Sequence, residues 1–269
     1  MKKVLINIIA CVAMVSALAS CSSEKPGNDG GDDDLPVVSA FERNVCIMEF
    51  TGTWCSFCPS AMTTVEYIVT DAYKDRAYAL SFHIEDDYSI SEGKRLYNGF
   101  GLTSAPSYSI DMRDSGYFSD GEFSIDIDKA LYDCPVHCAA AVECSCDSEG
   151  NVTVSAKMFS EMKSNYSIAA YVIEDKIVGR QTMPNNTVKE DYPHNHVVRK
   201  MLSSSINGDS LGEIEAGKEA EKKYTFTIEE GWKKKNLSVA VLVITNNGEV
   251  GNMAVCSVDG GKMGYKYVK

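Results

Sequence analysis

No stretch beyond residue 18 is apolar and long enough to cross a bilayer, and no internal repeat divides the 269-residue chain into equal units. Basic residues are in deficit: 26 Lys and Arg stand against 38 Asp and Glu, a net charge of −12. Nucleic acid and anionic lipid headgroups are therefore poor partners. Metal-binding patterns are thin as well. The Cys-x-x-C pair at Cys55 and Cys58 has no second pair at zinc-ligand spacing in the α/β part of the chain. His194 and His196 alternate in "HNHVV" and in an extended strand point to opposite faces, which suits no shared metal. No metal and no cofactor is expected. Helical periodicity is nearly absent from Val136 onward.

What is present begins with export. Lys2 and Lys3 precede an apolar run from Val4 to Leu18 that ends in Leu18-Ala19-Ser20-Cys21. This reads as a secretion signal over residues 1–20, and its ending resembles a bacterial lipobox. That resemblance implies cleavage before Cys21 and lipid, such as palmitate, on that cysteine. Each buried methylene of an acyl chain contributes roughly 0.8 kcal/mol, so a multiply acylated cysteine holds a domain at a membrane without a spanning helix. Residues 21–40, with "SSEKPGNDGGDDDLP", are rich in Gly and Asp and read as an acidic disordered tether. Acids close behind a lipid-bearing cysteine also resemble surface-export signals, although a solvated spacer explains the composition equally well.

Two patterns share the rest. Residues 41–134 alternate apolar strands with helix-like segments, an α/β arrangement. Strands are expected at Val45 to Phe50, Arg76 to Ile84, Ser107 to Met112 and near Gly116 to Phe118. Helices are expected at Pro59 to Lys74, at Ser91 to Gly101, and around Ile127, Ala130 and Leu131. Residues 135–269 carry about seven strand-like runs with turn signals between them, Asn247-Gly248 among them, which suggests an antiparallel, immunoglobulin-like β-sandwich. The polar loop expected from Gly179 to His194 is a candidate binding segment whose sequence names no ligand, protein or glycan.

Cys55 falls where the first strand gives way to a helix. Its sulfur should there face unpaired N–H groups and the positive end of the helix dipole, a setting that favours the thiolate. Outside the cytoplasm, such a pair is either a redox centre or a static bridge. The segment "CIMEFTGTWCSFCP" resembles the active-site strand and helix start of the thioredoxin superfamily, including Trp54 before the first cysteine. The resemblance implies Cys55 as exposed nucleophile, Cys58 as buried resolving thiol, and Glu49 as the buried acid that exchanges a proton with it. A second segment, "FGLTSAPSYSI", is similar to the family's stretch with a cis-proline. It implies that Pro106 faces the cysteines and that the backbone at Ala105 pairs with substrate. His83, at the end of the expected second strand, is by default a satisfied structural histidine; the alternative is that it lies near the cysteines and tunes them.

The export signal, the cysteine motif and "HNHVVRKML" in a β-rich second half together resemble the 28-kilodalton outer-membrane-protein family of Gram-negative bacteria. The resulting expectation is a lipid-anchored thiol–disulfide oxidoreductase of the outer membrane, acting on protein thiols or disulfides, with the sandwich binding a protein or glycan partner. The alternative is a non-enzymatic binding or adhesion lipoprotein with a structural Cys55–Cys58 disulfide. Cys138, Cys144 and Cys146 share one strand face with Ala140 and Val142 and read by default as small buried hydrophobes; the alternative is a bridge from Cys144 or Cys146 to Cys134, Cys138 or Cys256, among which spacing does not choose. Cys46 is most simply packing.

Overall fold

Every residue of β1 (Val45–Thr51) is buried, as befits a strand covered on both faces. The computed structural model describes residues 40–268. The predicted signal, Cys21 and the tether up to residue 39 lie outside the described residues. α1 (Cys58–Tyr67) carries Pro59 in its first turn, where a missing N–H costs little, and runs on through a widened turn over Ile68–Ala72. β2 (Ala77–His83) lies parallel to β1, which requires the crossover that α1 supplies. α2 (Ser91–Gly99) follows, then the hairpin of β3 (Ser107–Ile110) and β4 (Asp114–Tyr117), with β3 antiparallel to β1. α3 (Phe123–Asp128) and a further wide turn bury Phe123, Ile127, Ala130 and Leu131 against Val45, Ile47 and Val65.

The remaining strands are β5 (Cys138–Cys146), β6 (Asn151–Ser160), β7 (Ser164–Glu174), β8 (Ile177–Thr182), β9 (Val188–His194), β10 (Val197–Met201), β11 (Asp209–Ile214), β12 (Lys218–Thr227), β13 (Leu237–Thr245), β14 (Val250–Ser257) and the short β15 (Lys262–Met263). A nine-stranded sheet runs β14-β13-β7-β10-β2-β1-β3-β4, with β11 also on β7. A four-stranded sheet, β12-β6-β5-β15, packs on one end of it. Val152, Val154, Ala156 and Met158 of β6 meet Ile168, Ala170 and Val172 of β7 and Val239, Val241 and Val243 of β13. On the other side of the large sheet, Phe50, Phe82, Leu96, Tyr171 and Leu242 form a second core.

The molecule is thus β-rich with few helices, as the sequence suggests. The second half is not a free-standing sandwich: one of the two packed layers continues the sheet that holds β1 and β2. The junction is β10, which lies parallel to β2 at Val197 and Ser81, and the Ser81 N–H donates to the His196 carbonyl at 2.8 Å. Backbone groups on that flank of β2 need partners, and a strand from the second half supplies them. Two further differences concern polar segments. The expected loop from Gly179 to His194 is the hairpin β8–β9, and β11 has no counterpart in the apolar pattern.

Candidate functional site

The chain leaves β1 at Thr51, turns through Gly52 to Trp54, and enters α1 at Cys58. Cys55 and Cys58 are joined in a disulfide. The Cys55 N–H donates to the Gly52 carbonyl at 3.0 Å, and the Cys58 N–H donates to Cys55 Sγ at 3.1 Å. The sulfur therefore meets the donor-rich start of the helix, as the sequence predicts. The Trp54 ring folds back over Gly52, where a Cβ would stand only 2.5 Å from Nε1, and donates from Nε1 to the Ile84 carbonyl at 2.7 Å.

One expectation is corrected here. Cys55 is not an exposed sulfur: the residue is 4% exposed and Cys58 is fully buried. The cause is β8. Gln181, itself buried, donates from Nε2 to the carbonyls of Cys55 at 2.9 Å and Gly52 at 3.3 Å, and the Thr182 N–H donates to the Thr53 carbonyl at 2.8 Å. The hairpin of the second half is thereby fastened over the cysteine loop. What the loop exposes instead is aromatic, with Trp54 at 49% and Phe57 at 70%.

Asp86 holds the loop from another side. Its Oδ2 accepts the Thr53 N–H at 2.8 Å and lies 2.6 Å from His83 Nδ1, while Oδ1 accepts the Tyr88 N–H. Burial works against the Asp86 charge, but His83 and these two N–H groups hold its carboxyl below the usual range. Glu49 is buried on β1, accepts the Ser81 hydroxyl at 2.6 Å through Oε2, and has no partner for Oε1 among the described residues. Burial pushes its carboxyl up, against the Ser81 hydrogen bond and nearby His83 and His196.

Glu49 faces a cavity of about 380 Å³ shared with Ser81, His83, Tyr192, His194 and His196. The His83 and His194 rings lie 5.2 Å apart. The opposite-face expectation for His194 and His196 assumes an extended backbone, and His196, at φ 58°, is not extended. Burial, and then His83, hold the His194 ring down at about 4. Burial also opposes charge on His196, but Asp175 and Glu66 outweigh it and raise the ring to about 9. No group of three or more metal-ligating side chains is arranged for an ion among the described residues.

Pro106 follows a cis peptide bond from Ala105. Both residues line a groove of about 600 Å³ with Phe57, Ala61, Phe118 and Phe123. Trp54 does not line this groove. Cys46, Cys138, Cys144 and Cys256 are buried thiols, and Cys134 and Cys146 are half-buried ones. Sequence reasoning missed Gln181, Asp86 and Tyr192. A lone glutamine in a polar segment, and a His and an Asp three apart beyond a strand, carry no pattern that marks them.

The family described as Outer membrane protein Omp28 matches residues 93–264, a stretch that begins after the cysteine pair and takes in Ala105 and Pro106. Among solved structures, the chain is similar to HBP35 of Porphyromonas gingivalis, with 20% identity over 81% of this chain and 76% of that one and a TM-score of 0.63. At that identity the likeness speaks of fold alone. A domain of the outer membrane lipoprotein Omp28 from Porphyromonas gingivalis is 18% identical over 48% of this chain and 93% of its own, with a TM-score of 0.33, too low to bear on the fold. No curated protein matches. With the family match spanning well over half of its length, the chain belongs to the Omp28 family of outer membrane proteins.

Proposed function

We propose that this outer-membrane lipoprotein is a surface binding protein, anchored through lipid on Cys21, in which the Cys55–Cys58 disulfide is a clasp that shapes a recognition loop. The observation that carries this reading is the closure of the loop under β8, which leaves Cys55 4% exposed and turns Phe57, at 70%, outward beside the groove of Ala105, Pro106 and Phe118. Aromatic side chains around an apolar groove suit a protein partner. Family membership supports the place of such a protein at the outer membrane. The second half, residues 135–269, is on this view an immunoglobulin-like module for a protein or glycan partner.

A specific arrangement favours a second reading, thiol–disulfide exchange on protein clients. Strand order β2-β1-β3-β4, with β1 and β2 parallel and β3 antiparallel, supports a thioredoxin-like unit over residues 41–134. The cysteines open α1, and the Cys58 N–H donates to Cys55 Sγ. In that reading the Cys55 thiolate attacks a client disulfide and expels one client thiolate. Cys58 then gives its proton to Glu49 and attacks Cys55, releasing the second thiolate, so two electrons pass from the pair to the client. Trp54 and Ala105 would contact the client.

One experiment separates the two. The reduced wild-type protein is offered a small aromatic disulfide, and a Cys58→Ser variant is exported in cells and examined for mixed disulfides. A clasp gives neither turnover nor a trapped client, whereas both together establish exchange and retire the clasp.

A further inference from the structure

Strands β5 and β14 belong to different sheets, yet they run side by side at one edge of the sandwich with no backbone ladder between them. The Asn252 side chain donates to the Cys138 carbonyl at 3.0 Å, and a Cβ on Gly251 would stand 2.7 Å from Cys138 Sγ. Further along the same two strands, Cys144 and Cys256 are buried in the core that the two sheets share, 3% and 7% exposed, and each sulfur shifts the titration of the other. We infer that Cys144 and Cys256 become a disulfide in the exported protein, tying the four-stranded sheet to the nine-stranded one.

Compartment and chemistry both favour it. The family's address is the outer membrane, beyond the reducing cytoplasm, where disulfides persist. Cys256 is the attacking sulfur: the neighbouring Cys144 thiol, against burial, holds its pKa below the ordinary value. Cys146 is engaged elsewhere: its Sγ donates to the Asp147 carbonyl at 3.4 Å. The oxidant is a protein disulfide of the compartment's dithiol-oxidising class. The Cys256 thiolate attacks it, forming a mixed disulfide and releasing one of its thiolates. Cys144 then loses its proton and attacks the Cys256 sulfur, releasing the second. Two S–H bonds and one S–S bond break, one S–S bond forms, and two electrons move to the oxidant.

The bridge is independent of either reading of the Cys55–Cys58 pair. Its test is a cysteine map of the full-length exported protein, denatured with a maleimide present and no reductant, then digested. The peptides bearing Cys144 and Cys256 should be covalently linked, free of maleimide, and separated by reductant. In Cys256→Ser, Cys144 should take up the label. Maleimide on both residues in the wild-type protein, or linkage of either to another cysteine, overturns the inference. Because the wild-type map alone decides it, a poorly folding variant leaves the outcome intact.

Discussion

The side-chain amide of Gln181 donates to the carbonyl oxygen of Cys55 at 2.9 Å, joining positions 126 residues apart. Through this contact a strand from the second half is tied to the disulfide loop of the first. Gln181→Ala would leave the Cys55 and Gly52 carbonyls buried without that donor, at a cost of about 1–3 kcal/mol. It should also speed cleavage of the Cys55–Cys58 bond by a small thiol. Urea midpoints and the rate of thiol release check the two effects, and an unchanged release rate would show that β8 does not shield the bond.

A second prediction concerns Arg43 and Asp111, an ion pair at 2.7 Å with both side chains buried. Asp111 Oδ1 also accepts the Cys46 N–H at 2.8 Å, so the carboxylate fixes the start of β1. Asp111 has φ 52°, which asparagine tolerates, so Asp111→Asn isolates the charge. Leaving Arg43 buried and unpaired should cost about 3–5 kcal/mol in urea unfolding. A loss near zero would mean that water reaches Arg43.

Stability should peak near neutral pH because two histidines pull in opposite directions. The His196 ring, raised to about 9, stays charged in the folded state after it has lost its proton in the unfolded chain. Its contribution is complete below about 6.5 and disappears as pH climbs through the folded value. His194, held at about 4, is neutral in the fold where the unfolded chain would charge it, so stability falls as pH drops from about 6.5 toward 4. His196→Asn, which suits φ 58°, should flatten the alkaline limb and leave the acid limb in place. Thermal melts across the range read both limbs, and a variant that keeps the alkaline fall would assign it to other groups.

Glu49 supplies the fourth test. Burial raises its carboxyl, so the folded state holds this proton when the unfolded chain has released it, and stability is lost as pH rises above 4.5 through the folded value. Glu49→Gln keeps an acceptor for the Ser81 hydroxyl and removes the titration. Its stability relative to wild type should improve steadily with pH. A difference that is the same at acid and mildly alkaline pH would mean that Glu49 carries its charge in the fold.

The legible parts of the fold were those where apolar spacing is strict. Val45–Thr51, Ala77–His83 and Leu237–Thr245 are close to their expected bounds because each buries a continuous or alternating apolar set. The β8–β9 hairpin was invisible for the converse reason: it runs wet on much of its surface and buries Gln181 and His194, residues whose worth depends on what they meet. The cysteine spacing and Pro106 announced the neighbourhood of the site, and the shielding of Cys55 did not, since the shield arrives from far along the chain. The left-handed φ of His196 was not legible either, so the rule for extended backbone had no purchase there.

The Val197–Ser81 pairing also bears on how the protein can be taken apart. A fragment ending at residue 134 would retain the whole cysteine loop but carry β2 with one side bare, an invitation to sticky assembly with neighbouring chains. Cutting the first half free thus opens an edge on β2 that a strand more than a hundred residues downstream closes in the whole chain.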